Sequence, residues 1–112
     1  MAKGRNLGEA EHLVLLAVKR LGRPTSGADI RDTIEERTDR VLTVSAIYVT
    51  LMRLEKKGFL SSELGDPTPV RGGKARRRFH INEAGNHALA DVHRQWQRLS
   101  EDLPATSDGT TP

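Results

Sequence analysis

Apolar residues at Leu13, Leu16, Ala17 and Leu21, with Val14, Leu15 and Val18 beside them, give the chain an opening helix that is apolar over much of its circumference. Such a helix needs neighbours on more than one side. Asn6, three residues before Glu9, has the spacing of a capping box and predicts its start, while Gly22 and Pro24 predict its stop. Ser26 and Asp29 repeat the cap spacing for a second helix, whose inward stripe is Ala28, Ile30, Thr33 and Ile34. Its other face, Arg31, Asp32, Glu35, Glu36 and Arg37, is of mixed sign and reads as solvated. After a turn from Thr38 to Leu42, Thr43 caps a third helix in which Ile47, Leu51 and Leu54 form the buried stripe. Opposite that stripe stand Ser45, Ala46, Val49, Met52, Arg53 and Lys56, with Tyr48 and Thr50 on the flanks, and Lys57-Gly58 closes the helix.

The period then changes to two. Leu60, Ser62 and Leu64 alternate with Ser61 and Glu63, and Phe79 and Ile81 alternate with Arg78 and His80, which predicts two short strands. The Gly- and Pro-rich stretch from Gly65 to Ala75 between them is a hairpin loop. Asn82 caps a fourth helix, with Glu83 in its first turn. Its apolar positions, Leu89, Val92, Trp96, Leu99 and Leu103, are spaced three, four, three and four, a heptad-like seam suited to packing along another helix. Pro104 ends that helix, and the remainder to Pro112 reads as a flexible tail.

At 112 residues the chain is one domain with a modest core. Aromatic content of 4% leaves little to line a large enclosed pocket. The absence of cysteine excludes disulfide scaffolds, thiolate zinc sites and cysteine nucleophiles. The longest apolar run, Leu13 to Val18, is too short to span a membrane, and no signal-like segment opens the chain, so the expected location is cytoplasmic, and nucleoid-associated if it binds DNA. His12, His80, His87 and His93 share no ligand-like spacing, so no metal is expected, and no cofactor. No Gly-rich phosphate loop or Ser/His/Asp arrangement points to catalysis.

Charge changes the picture. The net charge is only +3, yet residues 67–82 hold Arg71, Lys74, Arg76, Arg77 and Arg78 with no acid, while residues 83–112 carry two basic and five acidic side chains. The cations therefore sit on the hairpin that follows the third helix. A charge run alone is usually a solvated loop. Three helices, a hairpin and a helix, however, form a winged helix-turn-helix order, mainly α with a minor β component. In that arrangement the third helix enters a DNA major groove, and the hairpin lies against the backbone or reaches the neighbouring minor groove. Five cations there are placed to displace counterions from phosphates.

The residues also resemble a family. Leu42-Thr-Val-Ser-Ala-Ile-Tyr-Val-Thr-Leu-Met-Arg-Leu-Glu-Lys-Lys-Gly-Phe-Leu60 is similar to the recognition-helix motif of PadR-like transcriptional regulators, in which a Tyr precedes Leu-x-x-Leu-Glu-x-x-Gly and an apolar strand. Those positions are Tyr48, Leu51, Leu54, Glu55, Gly58 and Leu60. Arg76-Arg-Arg-Phe-His-Ile-Asn-Glu-Ala-Gly85 resembles the family's basic, aromatic strand running into Thr-Glu-x-Gly. The likeness covers roughly residues 6–100. It departs at Gly27-Ala28, where Gly-Tyr is frequent, at Arg78, where an aromatic is common, and at Asn82, which replaces Thr. The resemblance implies a dimeric repressor or sensor in which the last helix packs on the partner's first.

These readings yield an expected division into a DNA-binding domain at residues 6–82, a dimerisation helix at 83–103 and the tail at 104–112. Candidate DNA contacts are Thr43, Ser45, Tyr48, Val49, Thr50, Arg53 and Lys56 on the third helix, and Arg71, Lys74, Arg76, Arg77 and Arg78 on the wing. Arg53 suits guanine because its fork matches O6 and N7. Tyr48 either donates to a phosphate or covers the helix flank as a half-buried ring, and the resemblance favours the phosphate. Lys56 and Lys57 are equally readable as solvated residues or partners of the helix dipole. Of the three consecutive arginines only some can face DNA, because strand positions alternate. Candidate dimer contacts are Leu13, Leu16, Leu89, Val92, Trp96, Leu99 and Leu103. Trp96 reads first as packing. Because the family has members that respond to aromatic compounds, a flat aromatic effector sandwiched by two copies of Trp96 is the second reading. The expected function is a DNA-binding transcriptional regulator acting as a homodimer on an inverted repeat, and the alternative is a protein-interaction winged helix without DNA contact.

Overall fold

The structure, a computed structural model, describes residues 7–65 and 77–104. Its elements run α1 (Glu9–Leu21), α2 (Gly27–Thr38), α3 (Val44–Lys56), β1 (Leu60–Leu64), β2 (Arg77–Ile81) and α4 (Glu83–Ser100). Arg71, Lys74 and Arg76 of the expected wing, the expected cap Asn6 and the tail from residue 105 lie outside the described residues.

Helix boundaries follow local chemistry. Ser26 Oγ accepts from the Asp29 N–H, Thr43 Oγ1 from the Ala46 N–H and Asn82 Oδ1 from the Gly85 N–H, so three helices start on the side chains whose spacing predicts them. Gly22, at φ 69°, closes α1 in the left-handed conformation that glycine tolerates. The start of α1 differs from expectation. The cap is Gly8, and Glu11 Oε1 reaches back to accept from the Gly8 N–H at 2.8 Å. The reciprocal half of a capping box is thus supplied two residues later than the Asn6–Glu9 spacing suggests.

The core joins Val14, Leu15 and Val18 of α1 to Ile30 and Ile34 of α2 and to Ile47, Leu51 and Leu54 of α3, with Phe59, Leu60, Phe79 and Leu89 completing it. Burying each such side chain contributes about 1.5–3 kcal/mol. The strands pair antiparallel with Leu60 opposite Ile81, Ser62 opposite Phe79 and Leu64 opposite Arg77. Phe79 is fully buried, and its backbone exchanges hydrogen bonds of 2.8 and 2.9 Å with Thr25 rather than with β1. A single residue before α2 therefore acts as a third strand and pins the root of the wing to the helical body. Leu64 lies beyond the core and is exposed.

α4 is buried against the body only through its first turns. Gly85 packs so closely that a Cβ there would lie 2.3 Å from the Phe59 carbonyl oxygen. Asn82 serves both ends of this junction, since its amide nitrogen also donates to the Gly58 carbonyl at 3.0 Å. Gly85 and Leu89 are the buried residues of α4. Leu89, expected on a dimer seam, is a core residue. Among the described residues no helix is long and apolar enough to cross a membrane.

Candidate nucleic-acid interface

Packing of the Ile47, Leu51 and Leu54 stripe into the core turns the opposite face of α3 outward. Ser45, Ala46, Val49, Met52, Arg53 and Lys56 are all exposed there, below the Thr43 cap. Thr50 does not join them. It is 7% exposed, and its hydroxyl donates to the Ala46 carbonyl at 3.0 Å, so the expected base contact from Thr50 is corrected to a buried position. The spacing carries that signal, because Ile47, Thr50, Leu51 and Leu54 are the i, i+3, i+4 and i+7 positions of one face. Ala46 and Met52, absent from the candidate contacts, stand on the exposed face with them.

The acid of α3 is taken off this face. Glu55 accepts from the Ser62 hydroxyl at 2.6 Å, and the Ser62 oxygen accepts in turn from Arg77 Nη1 at 2.9 Å. Arg77 is thereby drawn towards the α3 side of the hairpin, whereas Arg78 is exposed on the opposite face, across from Glu63. This is the alternation expected of consecutive strand residues. Lys57 is also engaged within the chain, 2.8 Å from Glu11, so Lys56 supplies the outward charge. Burial penalises the Glu11 carboxylate, but hydrogen bonds from Lys57 and the Gly8 N–H, with the charges of Lys57 and Arg53, outweigh it and hold its pKa below the usual carboxylate value.

Tyr48 occupies the half-buried place. Its ring is 6.1 Å from that of Phe79 and lies over Gly27, where a Cβ would come within 2.8 Å of it. Glycine at 27 is what lets the α3 flank close against the start of α2.

The expected dimer residues separate into two groups. Leu13 packs with the core, as Leu89 does, and Val92 is half-buried. Leu16, Trp96, Leu99 and Leu103 are 48%, 59%, 80% and 65% exposed. Trp96 meets His12 edge-on at 4.9 Å, at the rim of an open groove of about 1100 Å³ between α1 and α4. Burial keeps the His12 pKa below its ordinary value.

A three-helix body with a two-stranded wing, and an acid-free outer face on the third helix, defines a winged-helix DNA-binding domain. The Transcriptional regulator PadR-like family matches residues 14–91, and the chain belongs to that family, whose members are transcription regulators and not enzymes. A crystal structure of a PadR family transcription regulator from Clostridium difficile is similar at a TM-score of 0.69, with 19% identity over 84% of this chain and 93% of that one. A PadR family regulator from Eggerthella lenta gives 0.65 and 26% identity over 80% and 75%. A winged-helix DNA-binding protein from STIV gives 0.63 and 15% over 81% and 90%. No curated protein matches the chain.

Proposed function

We propose that this DNA-binding regulator is a cytoplasmic homodimeric repressor that binds an inverted-repeat operator. One observation carries the reading: the outward face of α3 presents hydroxyl, apolar and basic side chains, while Glu55 is held against Ser62. Such a face suits a polyanion carrying base edges. Thr43, Ser45, Val49, Arg53 and Lys56 are the α3 contacts, with Tyr48 at the flank, and Arg71, Lys74, Arg76, Arg77 and Arg78 supply phosphate contacts from the wing. Residues 6–82 form the DNA-binding unit and 83–103 the dimer helix. Support for the dimer comes from exposed large hydrophobics, Trp96 and Leu99 on α4 and Leu103 just after it, and from Leu16, which is exposed on α1. Patches of this kind mark protein contacts. Trp96 is assigned to packing across the twofold, and the same exposed ring is where an aromatic effector would stack.

A twofold dimer presents its recognition helices to successive major grooves about 34 Å apart. Footprinting on the DNA upstream of the protein's own gene tests this, with two protected half-sites at that spacing expected. A single unpaired footprint contradicts the dimer, and no footprint on that or any promoter DNA favours the protein-interaction alternative.

A further inference from the structure

This inference rests on the DNA-binding reading above and concerns what the recognition helix reads. In the major groove, adenine is best read by Asn or Gln, cytosine by Asp or Glu and guanine by Arg or Lys. α3 contains no Asn, Gln or Asp, and its Glu55 is bound to Ser62. Thr50, another polar candidate, is buried with its hydroxyl on the Ala46 carbonyl. Arg53 and Lys56 therefore stand for guanine or phosphate, and Ser45 is the exposed hydroxyl of the first turn. Between them the face is apolar. Val49 is 52% exposed and Met52 is 50% exposed, with Ala46 about one turn before Val49.

Large apolar side chains at the centre of a face whose C-terminal end carries cations are costly to leave in water and useless on phosphate. The groove edge of B-DNA offers one apolar group, the C5 methyl of thymine. Cations at Arg53 and Lys56 would hold the same face against the polyanion. The geometry points to Val49, with Met52, as specificity-determining residues that read thymine methyl groups, so that each half-site carries thymine beneath the middle of α3.

The test uses full-length protein and a duplex enriched by it from a random double-stranded library. Each thymine is replaced in turn by deoxyuracil, which keeps every hydrogen-bonding group and removes only the methyl. Symmetry-related positions in the two half-sites should each lose about fourfold in affinity, the worth of one buried methyl. The double variant Val49→Ala, Met52→Ala should bind the thymine and deoxyuracil duplexes equally. Both substitutions are on exposed positions, and a melting curve checks that the fold is kept. Normal binding with no thymine sensitive to uracil overturns the inference while leaving the DNA-binding reading intact. The same uracil penalty in wild type and double variant also overturns it, assigning the methyl to another residue. Failure of the wild type to enrich any sequence overturns the sequence-specific reading itself, and this inference with it.

Discussion

Lys57 Nζ lies 2.8 Å from Glu11 Oε1 and thereby ties the C-terminal cap of α3 to the first turn of α1. The same carboxylate oxygen accepts from the Gly8 N–H, so one nearly buried side chain starts α1 and anchors the end of α3. Glu11→Gln keeps an acceptor for Gly8 but loses the charge. Lys57→Met leaves the carboxylate without its cation. Either should lower unfolding free energy by about 1–3 kcal/mol in urea denaturation, Lys57→Met the more. Because the folded pKa of Glu11 is depressed, the unfolded chain takes up the proton first. The pair's contribution is complete above the ordinary carboxylate value of 4.5 and is lost as pH falls below it through the folded value. Glu11→Gln should remove that acid-side loss.

Gly85 offers a sharper steric test. An added Cβ would sit 2.3 Å from the Phe59 carbonyl oxygen and 2.8 Å from Ile81 Cγ1, and a backbone atom cannot swing aside. Gly85→Ala should cost about 2–3 kcal/mol. Gly27→Ala should cost less, because its obstacle is the Tyr48 ring. A denaturation series ranking Gly27→Ala as the worse variant would contradict the packing described at both sites.

Much of the architecture is written in local signals. The caps Ser26, Thr43 and Asn82 are short-range hydrogen-bonding chemistry, and the stripe Ile47, Leu51 and Leu54 is helical geometry, so both can be read from spacing. What escaped spacing is tertiary. Glu11 is chosen as the α1 partner of Gly8 while also meeting Lys57, a residue 46 positions away. Thr25 becomes a strand because Phe79 has an open backbone edge, which no feature of Thr25 announces. Leu89 fits the heptad seam by spacing yet falls into the core, since the close approach at Gly85 draws the first turns of α4 inward. On α3 the burial of Thr50 is itself legible in spacing, because Thr50 completes the buried face by its position alone.

His12 should make stability depend on pH near neutrality. Burial against α4, with the Trp96 ring edge-on to it, disfavours the imidazolium and lowers its pKa from 6.5. The unfolded chain therefore binds the proton more readily. Stability is full above pH 6.5 and declines as pH falls through that value towards the folded pKa. Denaturation midpoints measured between about pH 8 and pH 5.5 should fall for the wild type and fall less for His12→Phe.

The exposed half of α4 makes a separate prediction. Val92→Asp combined with Leu99→Asp places charge on the face where Val92 is half-buried and Leu99 is 80% exposed. Sedimentation should change from dimer to monomer, with the monomer's helical content kept, because the core residues Gly85 and Leu89 are untouched. A dimer that persists would place the interface elsewhere.

The central claim is that α3 and the basic wing bind duplex DNA by neutralising phosphates, and its most direct test is affinity for promoter DNA as a function of salt. Log affinity should fall linearly with log salt, with a slope of about −0.9 for each phosphate neutralised. Changing Arg76, Arg77 and Arg78 together to Ala should weaken binding to all sequences alike and make that slope shallower. Affinity that stays flat across salt, or a triple variant that binds with wild-type affinity and slope, would contradict it.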